Sequence, residues 1–486
     1  MNAKKIKQLP YGNADFKRIR IDNYVYIDKT RFIELLEEEG NLSQILIRPR
    51  RFGKSLFLST LSYYYDANYA NEFEQLFGDL YIGRNPTPRK NSYAVMAFNF
   101  SGIDTTSAEN FRNSFVESIY FTVRQFLHRH KNIFPKAEQF IEQINKEKNT
   151  QLILNTAFGA ADEAGIKIFV IIDEYDHFAN DLIAMGTVLG EDFYKKVITA
   201  NGLVRDFYEK LKIATDNGIV DRTFITGISP IMLEDLTSGY NIVTNYSLKL
   251  RYNEMLGFTR EEVNLLMDTV GIDSERISVD MEYYYNGYLF NGEAVNKVYN
   301  PSMILYFFEQ ILETNKLPAN LIDPNLSIDP QRLRRLIKNE SNRDILIQII
   351  KEGGIVSGVL EKFSIDHLSD NNHFVSLLFY MGLLTIKESY LGELRLVIPN
   401  YSIQTTFWSY LRVLVQDHSP EIMLNLYELT ESIRTMAMKG NIHDFINYVS
   451  QNAFSKLSDY DLQCFDEKYI KVLLLAYLLL NNIYIP

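Results

Sequence analysis

The chain has 486 residues, of which 46% are hydrophobic, 23% charged and 13% aromatic, the balance of an ordinary soluble globular protein with roughly two to four packed units of about 150 residues each. Its 50 basic and 61 acidic residues leave a net charge of −11, which excludes a general attraction to nucleic acid or to an acidic membrane surface and confines any such contact to a local patch. A single cysteine, Cys464, excludes an intramolecular disulfide framework and every multi-cysteine zinc site, and fits a reducing cytosol.

In chain order, Met1 to Gly12 is polar and lysine-bearing with no apolar core segment, so no secretory signal is expected and the predicted location is cytoplasmic. Residues Tyr24 to Asp28 alternate towards a short strand. Phe32, Ile33, Leu35 and Leu36 then mark a helix closed by Gly40. Asp28 and Lys29 beside Thr30 either cap that helix or face the site that follows, capping being the commoner use.

That site is the stretch from Ser43 to Leu58, which reads as a short buried strand (Ser43-Gln44-Ile45-Leu46-Ile47), a turn (Arg48-Pro49-Arg50-Arg51-Phe52-Gly53) and the first turn of a helix (Lys54-Ser55-Leu56). Gly53 lets the backbone approach a phosphate, Lys54 can reach the β and γ phosphates, and the Ser55 hydroxyl can ligate magnesium. Free N–H groups at the helix start point at the same anion. Phe57, Leu61, Tyr64 and Tyr65 keep helical spacing, so one face of this helix docks on a core. One departure stands out, because the pattern G-x-x-x-x-G-K-[ST] asks for glycine where this chain has Arg48.

Residues Tyr93 to Phe100 read as a central strand, followed by amphipathic helices from about Ala108 to His130 and from about Lys136 to Lys146. The apolar run Ile166 to Ile172 ends in Asp173-Glu174-Tyr175-Asp176, the way a parallel strand buried on both faces delivers carboxylates to the carboxyl edge of a sheet. There Asp173 would hold magnesium and Glu174 would polarise an attacking water, while Asp176 supports them or caps a helix. A strand Arg222 to Gly227 ends in Thr226, which would sense a γ phosphate if the strand lay between the other two. Asn241 to Leu250, with a helix capped by Thr259-Arg260-Glu261-Glu262, reads as a lid. Arg222, Arg251 and Arg260 are candidates for an arginine reaching the phosphate, although a surface charge is the commoner fate of each.

Beyond this point helices dominate. Tyr283 to Phe290 is an aromatic segment turning at Asn286-Gly287, and Asn315 to Asp329 is the best linker. A helix from Gln331 to Asn339 carries Arg332, Arg335 and Lys338 on one side, a face that would track phosphates or simply be solvated. Phe379 to Ile386 with Leu394 to Ile398 reads as a helix and β-hairpin, a winged-helix-like arrangement. The apolar run Val472 to Leu480 is shorter than the ~20 residues a membrane span needs and reads as a buried helix. His128 and His130, two apart on a helix, point in different directions and do not make a metal site.

Together, Arg48 to Leu56 and Asp173 to Asp176 resemble a bacterial family of predicted AAA-ATPase-like proteins that end in a nuclease-like domain of the PD-(D/E)XK class. Further matches are Tyr26-Ile27-Asp28-Lys29-Thr30, Thr226-Gly227-Ile228-Ser229, Leu256-Gly257-Phe258-Thr259 and Asn286-Gly287-Tyr288 with Tyr299-Asn300-Pro301, so the likeness runs over nearly the whole chain. It implies that Arg48 belongs to an arginine-rich loop characteristic of the family. It also implies a nuclease core that this chain does not display, since Asp466-Glu467-Lys468 opens a helix and the chain stops at Pro486 where a nuclease sheet would begin. No nuclease activity is expected of these 486 residues.

The expected fold is therefore α/β, a P-loop NTPase parallel sheet of the additional-strand, catalytic-glutamate type, followed by a mainly helical C-terminal half. The divisions are a P-loop domain at 1–255, a helical lid at 256–345, a winged-helix-like segment at 346–405 and a helical C-terminal region at 406–486. ATP and Mg2+ are the expected ligands. Arg48, Pro49, Arg50, Arg51, Phe52, Gly53, Lys54, Ser55 and Leu56 would cradle the triphosphate, and Ser55 and Asp173 would hold the metal. Glu174, Lys54, Thr226 and Arg251 would act on the reaction. Nucleotide state would control the C-terminal half, where a nucleic-acid or protein partner would bind, and the arginine would act within one chain or across an oligomer. The contrasting expectation is a slow-turnover, nucleotide-dependent switch or scaffold.

Overall fold

Five short apolar runs form one parallel sheet: β1 (Ser43–Ile47), β2 (Tyr93–Asn99), β3 (Lys167–Asp173), β4 (Val220–Gly227) and β5 (Val243–Asn245). Their order is β2-β3-β4-β1-β5, with every neighbouring pair parallel. The additional strand, β4, thus separates the loop strand β1 from the acidic strand β3. The computed structural model describes residues 7–146, 149–185, 194, 202–236, 240–274, 277–318, 320–323, 333, 336, 339–364, 367–368, 370–390, 392–407, 410 and 426–452. Most of the helix expected at 331–339, the second half of the expected linker, and the segments Asp466-Glu467-Lys468 and Val472 to Leu480 lie outside the described residues.

The helices that accompany this sheet in the chain include, in order, α1 (Phe16–Ile21), α2 (Arg31–Glu38), α3 (Lys54–Tyr65), α4 (Ala108–Arg129), α5 (Ala137–Lys146), α6 (Thr150–Ala164), α7 (His177–Met185) and α8 (Leu203–Asp216). Ring contacts identify the two faces. Tyr65 of α3 stacks on Phe169 of β3 with centroids 4.4 Å apart, while Phe207 of α8 meets Phe98 of β2 edge-on at 5.0 Å. Val95 stands opposite Phe169 in the register, so Phe98, three residues further along its strand, points to the other face. Burial on both sides explains the unbroken apolar runs 45–47 of β1 and 168–172 of β3.

Three expectations change here. Tyr93 to Phe100 is not central: β2 is the edge strand beyond β3, and its apolar run reflects helices on both faces rather than strands on both sides. Within Asn241 to Leu250, Val243–Asn245 forms β5, the opposite edge of the same sheet, so this stretch is not part of a lid. Tyr24 to Asp28 makes a single bridge, Gln8 to Tyr24, instead of a strand.

The second half continues with α9 (Arg260–Val270), α10 (Pro301–Thr314), α11 (Glu340–Glu352), β6 (Gly354–Ser357), α12 (Asn371–Tyr380), β7 (Thr385–Tyr390) and β8 (Glu393–Val397). Thr259 and Glu262 form the expected capping box of α9. The hairpin β7–β8 exists as expected, and β6 joins it in an antiparallel sheet ordered β6-β8-β7. Helices α13 (Leu426–Lys439) and α14 (His443–Asn452) close the described chain. One buried apolar core runs through both halves, from Leu9 to Tyr410. No helix of the described residues is long and apolar enough to cross a membrane.

Candidate functional site

At the carboxyl end of β1 the chain turns through Arg48 to Gly53 and enters α3 at Lys54. Two residues of the turn are left-handed, Arg51 at φ 67° and Gly53 at φ 89°. Such alternation turns successive N–H groups toward one concave point, a geometry that receives anions. A β-carbon at position 53 would meet no neighbouring atom, so its glycine answers to the backbone angle and not to space.

The loop stands at the rim of a cleft of about 430 Å³ outside the carboxyl ends of the strands, where parallel α/β sheets place ligands. Arg50, Arg51, Phe52, Gly53, Lys54, Ser55 and Leu56 line it, with Glu174 and His177 across from them. Much of the remaining lining is apolar and comes from segments distant in sequence, including Pro10, Ile27, Leu256, Phe258, Pro301 and Leu305. Each contributor is an unremarkable apolar residue with no signal of its own, although Ile27, Leu256-Gly257-Phe258 and Pro301 fall within the family-like stretches.

Lys54 folds back over the loop, its Nζ donating to the carbonyls of Arg48 at 2.9 Å and Pro49 at 2.8 Å. Burial lowers its pKa to about 8, opposed by Asp173, Glu174 and Asp176. Ser55 Oγ donates to Asp173 Oδ2 at 2.7 Å, and Thr226 Oγ1 donates to Asp173 Oδ1 at 2.8 Å. The Glu174 amide also reaches Asp173 Oδ1, at 3.0 Å. One carboxylate therefore ties together the start of α3, the end of β3 and the end of β4. Asp176, fully buried, accepts the amides of Ile228 and Ser229, the Ser229 hydroxyl and the Asn180 amide, fixing the turn after β3 to the turn after β4.

Glu174 takes a left-handed backbone, φ 52°. Its Oε2 lies 3.2 Å from His177 Nδ1, and this hydrogen bond first, then the nearby Lys54 and Arg50 charges, lowers its pKa against partial burial. His177 was not expected from the sequence, since a histidine three residues after a glutamate carries no distinctive signal.

Arg48 is fully buried and its guanidinium points away from the cleft, donating to the carbonyls of Ile47, Ser247 and Tyr252. Pro49 rests against Gly382. Arg251 is half-exposed outside the cleft and pairs with Glu38 at 2.6 Å and Glu39 at 3.6 Å. Arg222 is buried in β4 near Asp221, and Arg260 is exposed and pairs with Glu282. Lys29 lines the cleft and bonds Glu262 at 2.6 Å, while Asp28 accepts from the Thr30 amide and hydroxyl beside the start of α2. The Ser55 hydroxyl and Asp173 carboxylate supply hard oxygen donors side by side, a set that suits magnesium, which takes few protein ligands and keeps water and phosphate for the rest.

Residues 10–237, just under half the chain, match the model of a family described as "Predicted AAA-ATPase". The match contains the loop, Asp173, Glu174 and Thr226. An uncharacterized protein from the vnfD 5′ region of Azotobacter chroococcum mcd 1 is 28% identical over 307 residues, covering 63% of this chain and 52% of that protein. The chain thus spans about half the length of that relative. The Walker-type ATPase PABY2304 of Pyrococcus abyssi is 12% identical, with 78% of this chain and 94% of that one covered at a TM-score of 0.45.

Proposed function

We propose that the chain binds ATP with Mg2+ in the cleft and hydrolyses it. The observation that carries this reading is the Asp173 carboxylate, held at once by Ser55 at the start of α3 and by Thr226 at the end of β4, with Glu174 next in the chain. The loop N–H groups and Lys54 receive the phosphates, Lys54 releasing the Arg48 and Pro49 carbonyls to do so. The Ser55 hydroxyl and Asp173 hold magnesium, which neutralises charge building on the phosphate oxygens. Glu174 orients the attacking water, and Thr226 keeps Asp173 in position. Arg50 and Arg51 line the cleft and are placed to meet phosphate within one chain, whereas Arg251 lies outside it and would serve only across an assembly.

We further propose that the loop reports its state to the C-terminal half. Asn300 donates to the Arg50 carbonyl at 3.3 Å, Phe52 packs edge-on against Tyr288 at 5.0 Å, and Pro49 touches Gly382. The α11-β6-α12-β7-β8 unit is read as winged-helix-like and as the seat of a nucleic-acid or protein partner. These contacts also suit a switch that holds ATP tightly and turns it over slowly, and the ratio of turnover to affinity separates the two. The test of the site is calorimetric titration of ATP into wild type, Lys54→Ala and Asp173→Ala, with and without magnesium. Loss of binding in Lys54→Ala and loss of the magnesium dependence in Asp173→Ala support the reading, and unchanged binding in both defeats it.

A further inference from the structure

We propose that His177 is the positioning residue for Glu174: anchored by Asp181, its imidazole holds one oxygen of the Glu174 carboxylate and leaves the other free for the attacking water. This rests on the reading of Glu174 as the residue that orients water. Glu174 follows the last residue of β3 with a left-handed backbone, and among the described residues His177 is the only ion-pair partner of its carboxylate. The two residues are locked in one turn, since the His177 amide donates to the Glu174 carbonyl at 3.1 Å. On the far side of the ring, Nε2 lies 3.4 Å from Asp181 Oδ2, one helical turn along α7.

Both ring nitrogens therefore face carboxylates, which accept and do not donate, so the arrangement favours the ring with both protons. The surrounding charges agree. Glu174, Asp181 and Asp176 face the ring, Lys54 and Arg50 face Glu174 from the loop, and the imidazole pKa is raised, chiefly by the Glu174 hydrogen bond, against burial. Helix stability does not explain the residue: His177 opens α7, where a cation opposes the helix dipole and an acid is preferred. What the position offers is access, because His177 lines the cleft beside Glu174 and Lys54.

The test compares wild type, His177→Ala and His177→Gln in ATP hydrolysis at saturating Mg·ATP from pH ~6 to ~9. His177→Ala lowers kcat on the order of 10-fold to 100-fold, the usual cost of removing a group that orients another, with KM within about twofold. His177→Gln, whose amide still donates, recovers most of kcat. Wild-type kcat falls as pH rises through the His177 pKa, and this limb is absent in His177→Gln. In the nucleotide-free protein, Glu174→Gln lowers the His177 imidazole pKa followed by histidine-selective NMR. Unchanged kcat in His177→Ala, identical pH profiles, or an imidazole titration indifferent to Glu174→Gln overturns the inference alone. Wild type that binds Mg·ATP without turning it over defeats the hydrolysis reading, and this one with it.

Discussion

The Arg48 guanidinium lies 3.9 Å from the centre of the Phe290 ring, so the loop position that the general phosphate-binding pattern reserves for glycine is filled by a cation stacked on the C-terminal half of the chain. Its three donated hydrogen bonds go to the carbonyls of Ile47, Ser247 and Tyr252, which join the end of β1 to the segment after β5. Burial holds its pKa down at about 9. Arginine suits this place because one planar fork reaches several carbonyls while its face covers an aromatic ring.

Removing this side chain leaves carbonyls unpaired in the core. Arg48→Ala should destabilise the protein by roughly 3 kcal/mol, as expected for buried hydrogen bonds to a charged group, and Arg48→Lys should recover less than half of that. Urea unfolding midpoints measure it. An Arg48→Ala protein as stable as wild type but unable to bind ATP would show that the side chain serves the nucleotide instead.

Gly382 has φ 79°, and a β-carbon there would lie 2.8 Å from the Pro49 β-carbon. Gly382→Ala should cost roughly 1 kcal/mol for the backbone alone and should also displace the loop, weakening ATP binding. The replacement is outside the cleft, so a fall in affinity measured by fluorescent nucleotide titration reports the contact between the two halves. Unaltered affinity would separate the loop from the C-terminal unit.

Lys54 gives a pH dependence whose sign follows from its lowered pKa. The folded, nucleotide-free chain sheds this proton near pH 8, against 10.5 for an ordinary lysine in the unfolded chain, so the unfolded state binds more protons between the two. Stability from this group therefore rises with pH across that window. Triphosphate favours the charged amine, so ATP affinity should fall as pH rises above 8, with proton uptake on binding. Calorimetry in buffers of different ionisation enthalpy checks this, and Lys54→Arg should shift the fall to higher pH.

Thr226→Val keeps the shape of a buried residue while removing its hydrogen bond to Asp173. ATP turnover should drop about tenfold, the scale of one charge-assisted hydrogen bond, with the circular dichroism spectrum unchanged. A variant with full turnover would remove Thr226 from the site.

Much of this arrangement is legible in the amino-acid order. Ser43 to Leu58, the run ending at Asp173 and the strand ending at Thr226 are each local patterns, and a parallel sheet brings their carboxyl ends to one edge. What is not legible depends on partners far along the chain. The direction of Arg48 is set by Ser247, Tyr252 and Phe290, about 200 residues away or more, and no local rule anticipates it. Strand β5 is three residues long, too short for a periodic signal, so Asn241 to Leu250 reads as a lid. Helix α6, Thr150–Ala164, carries both end signals, Asn149 capping its start and Gly165 closing it, yet its low-contrast apolar pattern does not set it apart from its surroundings. The edge position of β2 was hidden because helices bury both of its faces.

The most direct test of the central claim is Glu174→Gln, which keeps the size of the side chain and removes its ability to take a proton. Phosphate release and Mg·ATP affinity are measured on the same preparation. Affinity should stay within about threefold of wild type while turnover falls on the order of 100-fold or more, the usual contribution of a positioned general base. Turnover that survives Glu174→Gln would contradict the claim.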